Sequence, residues 1–182
     1  MTATTSAQII AFWFETLRPR QWFCKDAQLD EEIRRHFGDT LAAAQRCELW
    51  HWRASDEGRL AEIIILDQFS RNIHRDTSQA FANDPLALAL AQEAVAHGVD
   101  RRLEAARRAF VYMPYMHSES LAIHAQALEL FSQPGLEGNL KSERQHHDIL
   151  QRFGRYPHRN AILGRTSSAE ELAFLTTPGS SF

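Results

Sequence analysis

Lysine is nearly missing from this chain: Lys25 and Lys141 are the only two, so 18 of its 20 basic residues are arginine. Genomic codon bias explains such a skew, yet arginine also offers forked, bidentate hydrogen bonds that lysine cannot. Cysteine is as scarce. Cys24 and Cys47 are too few and too far apart for a disulfide framework or a zinc site. They read as two reduced, buried or half-buried thiols. Long apolar runs are missing too. Ile63-Ile64-Ile65-Leu66 falls far short of the ~20 residues that cross a bilayer, so no membrane partner is expected. No Lys or Arg precedes the apolar stretch within residues 1–11, which therefore lacks a signal-peptide pattern, and a cytoplasmic protein is the default. Neither G-x-G-x-x-G nor G-K-[ST] occurs, which removes the common nucleotide loops. Charge of one sign is not in excess either. Residues 1–100 carry 10 basic and 15 acidic side chains, the remainder 10 and 8, for a net charge of -3. That gradient is too mild for a nucleic-acid tail, and no nucleic-acid partner is expected.

What the chain does have is helical patterning. Its 182 residues, 44% hydrophobic, suit one domain spanning 1–182. Thr5 or Ser6 can cap a first helix carrying Ile9, Ile10, Phe12, Trp13 and Phe14, which Pro19 ends. Asp26 caps a second with Leu29, Ile33 and Phe37 four apart, interrupted by Gly38. Ser55 or Asp56 caps a third with Leu60, Ile63, Ile64 and Leu66, followed by a loop over residues 72–83. Asp84-Pro85 opens a fourth, with Asp as cap and Pro at the first helical position. Asp100, Ser118 and Asn139 are read as starting three more, with breaks at Pro114, Pro134-Gly135 and Gly154. Ser167-Ser168-Ala169-Glu170-Glu171, with Ser and Glu three residues apart, is a capping-box signature for the last. The result is an all-α chain of about seven to nine helices, arranged as antiparallel hairpins.

Three blocks exceed what a core requires. The first, LDQFSRNIHR, sets Asp67, Arg71 and Arg75 four residues apart, with Asn72 among them, at the polar end of the most apolar helix. The second, YMPYMHSE, brings Tyr115, His117 and Glu119 to a helix junction. The third holds Arg152, Arg155, His158, Arg159, Asn160 and Arg165, and residues 149–169 contain no acid at all. A cationic loop of this kind suits an anion. Opposite charges in separate blocks can neutralise one another only where the blocks meet. Arg71, Asn72, His117, Glu119, His158 and Arg159 are therefore expected to converge on one pocket, with Trp13 or Tyr115 as an apolar wall and an arginine excess left for a ligand. Nine histidines invite a metal, but none stands in H-E-x-x-H, so neither a metal nor another cofactor is expected.

Together with Phe12-Trp13-Phe14 and the run RFGRYPHRNAILGR, these blocks resemble, in order and over essentially the whole chain, a bacterial family of unknown function with a tetratricopeptide-like all-helical fold. The resemblance implies a helical array with a groove. It brings no established activity and no catalytic residue. Three functions follow from the residues themselves. The first is binding of an anionic small molecule or a peptide carboxylate in an Arg/His-lined groove. The second is a hydrolase or lyase using His117 or His158 as acid–base with Glu119 as the orienting carboxylate. The third is a scaffold for a protein partner, which would show a large exposed apolar patch.

Overall fold

In the computed structural model, which describes residues 4–181, every regular element is helical and no strand occurs among those residues. Residues 1–3 of the N-terminal stretch and Phe182 at the end of the expected domain lie outside the described residues.

Thr5 caps α1 (Ser6–Ala11) through a reciprocal box with Gln8, and the helix widens into a π turn over Phe12–Thr16. Arg18, before Pro19, is extended, as the proline ring requires. Asp26 accepts from the backbone of Gln28 and Leu29 and opens α2 (Ala27–Gln45). Gly38 does not interrupt this helix. A row of buried side chains, Ile33, Phe37, Leu41 and Ala44, runs straight past it and outweighs a glycine cost of about 1 kcal/mol.

Ser55 caps α3 (Asp56–Ile64), a π turn follows over Ile65–Phe69, and α4 (Ser70–Ile73) closes this continuous helical stretch. The expected loop after it starts later than residue 72 and contains a 3₁₀ turn, Ser78–Phe81. In α5 (Asp84–Ala96) the N-cap is Asn83; Asp84 is already helical and its carboxylate is engaged elsewhere. Gly98, in the left-handed region at φ 66°, separates α5 from the single turn α6 (Val99–Arg102). Asp100 is buried in that turn and accepts the Tyr112 hydroxyl at 2.6 Å, so it caps nothing.

The helix α7 (Ala105–Met116) runs through Pro114: the proline forfeits the ladder bond to Phe110, but every residue from Ala109 to Met116 is buried and that packing holds the helix together. Ser120, not Ser118, is the N-cap of α8 (Leu121–Phe131). The helix α9 starts two residues before Asn139 (Glu137–Phe153) and ends at Gly154 in the left-handed region. A 3₁₀ turn, Pro157–Arg159, and the boxed helix α10 (Ala169–Leu175) complete the chain.

Long helices pack consecutively only at the end of the chain, α7 on α8 and α8 on α9; before that α1 packs on α3, α2 on α4, α3 on α5 and α7, and α5 on α7, which departs from the expected run of antiparallel hairpins. The main core is aromatic at one end. Trp13 lies 5.6 Å from Phe69 and 5.5 Å from Phe110, ring to ring. A small second cluster holds Ile149, Leu150 and Tyr156. Cys24 and Cys47 are free and exposed rather than buried, since Cys24 falls in the irregular segment before α2 and Cys47 in the turn after it. No described helix is long and apolar enough to cross a membrane.

Candidate functional site

The π turn in residues 65–69 sets up the site. Such turns shift side-chain register and are frequent at functional positions. Here Asp67 is only 1% exposed. Its Oδ1 accepts from His117 Nδ1 at 2.6 Å and lies 3.1 Å from Arg71 Nη1, while Oδ2 accepts from Gln68 at 2.6 Å. Burial alone would raise the Asp67 pKa. The charge His117 takes up at low pH, the Arg71 charge, and the hydrogen bonds from His117 and Gln68 outweigh it and hold Asp67 well below the usual carboxylate range. His117 is pushed below an ordinary histidine, chiefly by burial and then by Arg71. A buried carboxylate therefore faces a neutral imidazole.

Arg71 carries the network onward. It donates to the Asp67 carbonyl at 2.8 Å and grips both oxygens of Asp84, at 2.8 and 3.1 Å. Arg159, from the distant third block, reaches the same carboxylate with one contact of 3.2 Å. Its guanidinium lies over Phe81 at 4.5 Å and Tyr156 at 4.7 Å. Arg159 is 6% exposed and its Nε is buried without a hydrogen-bond partner. Burial, and then the neighbouring Arg71 charge, lower its pKa.

Glu119 belongs to a separate clasp. It accepts the Tyr156 backbone N–H at 2.7 Å and a bidentate pair from Arg165 at 2.6 and 2.9 Å. Burial works against its charge, but these donors prevail and lower its pKa. Behind the clasp, Tyr156 donates to the Met116 carbonyl at 2.6 Å and meets His124 Nε2 at 3.1 Å. His124 Nδ1 lies 2.6 Å from Glu143, both side chains fully buried. This chain ties the third block to α7, α8 and α9.

Above these groups lies a cleft of about 400 Å³. Its apolar walls are Phe81, Ala82, Pro85, Leu88, Pro114 and Leu163; its polar ones are Ser78, Asp84, His117, Ser118, Glu119 and Arg159. A second concavity, about 660 Å³, lies at Arg18, Arg20, Gln21, Cys24 and Asp26. The first four of those side chains are exposed or half-buried and Asp26 is already spent as a cap, so nothing there is preorganised.

The three blocks do meet, but not every residue expected at the pocket reaches it. His117, Glu119 and Arg159 line the cleft, and Asp67 and Arg71 lie behind it. Asn72 and Arg75 turn away to Asp30 on α2, at 2.8 and 2.7 Å, because the helix ends at Ile73 and Arg75 leaves the face of Arg71. Arg155 pairs with Glu171 of the last capping box at 2.7 Å. Asn160 braces its own loop through Arg165 and Ser167, each at 3.0 Å. His158 stands beside Tyr156 and is not a cleft wall; burial and Arg159 push its pKa down to about 4. Trp13 is core, and so is Tyr115, whose hydroxyl burial pushes up to about 12. The carboxylate that orients His117 is Asp67, not Glu119.

Sequence reasoning missed Asp84, Phe81 and Ser118 as cleft residues. Asp84 balances the expected arginine excess: Asp67, Asp84 and Glu119 face Arg71, Arg159 and Arg165. The balance is uneven, since Arg71 holds Asp84 bidentately and Arg159 takes only the remainder. Among the described residues, no group of three or more His, Cys, Asp or Glu is placed to hold a metal ion.

An all-helical chain with a charge-paired cleft defines the class of protein. Residues 9–179 match the bacterial family described as a protein of unknown function, DUF924, and the chain belongs to that family. It is similar to the solved structure of a protein of unknown function from Agrobacterium tumefaciens. The two share 40% identity and a TM-score of 0.90, over 94% of this chain and 96% of that one. No curated protein matches.

Proposed function

We propose that this chain is a single helical domain whose cleft binds a small organic anion with an apolar body, a carboxylate being the plainest fit. One observation carries the reading: Arg159 is buried, lies between two rings, and is left with a single shared contact and an unpartnered Nε. A buried guanidinium that only shares a carboxylate is under-satisfied, and its Nη2, without a hydrogen bond among the described residues and not sealed from solvent, is the donor a ligand anion would meet. Phe81, Pro85, Leu88, Pro114 and Leu163 suit a hydrocarbon or aromatic body beside that anion. A peptide C-terminus presents the same carboxylate and is covered by the same test. The two free, exposed thiols fit a reducing, cytoplasmic setting. A protein scaffold has less support. The exposed large apolar residues, Phe23, Trp50, Leu121 and Leu172, come from four separate segments rather than one contiguous stretch.

Titration calorimetry with 3-phenylpropionate tests the reading. Arg159→Gln should weaken binding by roughly tenfold to hundredfold, the worth of a charge-assisted hydrogen bond of about 1.5–3 kcal/mol. Its melting temperature should barely move, because removing the charge also relieves repulsion with Arg71. Unchanged affinity, or a large fall in melting temperature with no effect on the ligand, would make Arg159 a structural strut instead.

A further inference from the structure

The state of Asp67 dictates which way His117 faces its proton. An ionised carboxylate only accepts, and both Asp67 oxygens are occupied by donors: Gln68 on one, Arg71 and His117 on the other. His117 Nδ1 must therefore carry the hydrogen it gives to Asp67. In a neutral ring that leaves Nε2 bare, with its lone pair outward. Nε2 has no hydrogen-bond partner among the described residues, is not sealed from solvent, and belongs to a side chain lining the cleft. The cleft thus presents two fixed and opposite demands. At Arg159 it asks for an anion; at His117 it asks for a hydrogen-bond donor and repels an anionic oxygen.

We propose that the cleft selects anions bearing a hydroxyl beside the charged group, hydroxycarboxylates above all, with the carboxylate on Arg159 and the O–H donated to His117 Nε2. This rests on the anion-binding reading and makes it specific. Asp67 is the positioning residue: it sets the tautomer and never meets the ligand. Serine, cysteine or tyrosine side chains do not hydrogen-bond Nε2 in the described residues, so the imidazole acts on the ligand itself and not through a protein nucleophile.

The comparison that tests it is 3-phenyllactate, both enantiomers, against 3-phenylpropionate, which lacks only the hydroxyl. On the native protein at pH 7.5 (about a unit above an ordinary histidine pKa), one enantiomer of phenyllactate should bind roughly tenfold more tightly, the net worth of one hydrogen bond. His117→Phe should abolish the preference while phenylpropionate still binds, which also shows that the variant folds. Long-range proton–nitrogen NMR supplies a readout that needs no ligand. It should find His117 protonated at Nδ1 and bare at Nε2, and Asp67→Asn should disturb that assignment. Equal affinity for hydroxylated and plain acids, or the opposite tautomer in the native protein, would overturn the inference and leave anion binding standing. Failure of all three compounds to bind would take the anion reading down as well.

Discussion

Acidification from pH 7 to pH 5 should destabilise this fold before any carboxylate of ordinary pKa titrates. Two buried histidines carry most of the effect. His146 is held down to about 3, chiefly by burial, and His158 to about 4, by burial and then Arg159. In the unfolded chain both return to ~6.5. Their folded values are depressed, so the unfolded state takes up protons first. The stability they contribute is complete above ~6.5 and is lost as pH falls toward the folded values. Each ring then costs up to about 2 kcal/mol by pH 5, from 1.36 kcal/mol per unit over roughly one and a half units. Two rings give at most ~4 kcal/mol. His117, displaced in the same direction, adds to the loss. Glu143 opposes it, because burial raises its pKa and the folded state binds that proton first. A net loss of roughly 2–4 kcal/mol is expected, a large share of a domain's usual stability. Urea unfolding at pH 7, 6 and 5 measures it directly. In His158→Gln, and again in His146→Gln, the slope should be shallower. A curve flat from pH 7 to pH 5, or a slope unaltered in both variants, would refute the reasoning.

Asp67→Asn should cost about 3–5 kcal/mol in denaturant unfolding, since it strips the counter-charge from Arg71 and leaves one accepting oxygen, in a fully buried place, for the donors Gln68, Arg71 and His117. Gly38→Ala should stabilise by roughly 0.5–1 kcal/mol, because it replaces glycine within α2 where a Cβ meets nothing within 4 Å. Gly58→Ala should do the reverse and lower the melting temperature sharply, as its Cβ would stand 2.0 Å from the Trp52 carbonyl oxygen.

The elements legible in the sequence are those whose cause is local. Thr5, Asp26, Ser55 and Ser168 cap as expected because a cap needs only its own next three residues. Gly38 and Pro114 misled because tertiary packing decides whether a weak local preference holds. Ile33, Phe37 and Leu41 bury one continuous face past the glycine, and Ala109 to Met116 are buried on all sides of the proline. The meeting of the three blocks followed from charge complementarity. Which acid serves which base did not. Asp67 and His117 lie 50 positions apart and Asp84 and Arg159 75, and a pattern of spacings cannot rank such partners. Asp84 was hidden by its own plausibility as a helix cap. The π turn left no periodic signal, since five residues are too few to reveal a change of pitch.

That π turn gives the chain an uneven tolerance to changes of length. One extra residue in a helix advances everything after it by about 100°. Residues 65–69 hold such an advance between two rows with different duties: Leu60, Ile63 and Ile64 before it pack inward, and Ser70 to Ile73 after it carry the groups that meet α2 and α5. Inserting a residue between Asp76 and Thr77, past the Arg75–Asp30 pair, moves a solvent-facing turn and little else. Removing one residue from 65–69 leaves a smoother helix on paper and rotates Arg71 off Asp84, so the salt bridge, the cleft wall and the seat of Arg159 are lost together.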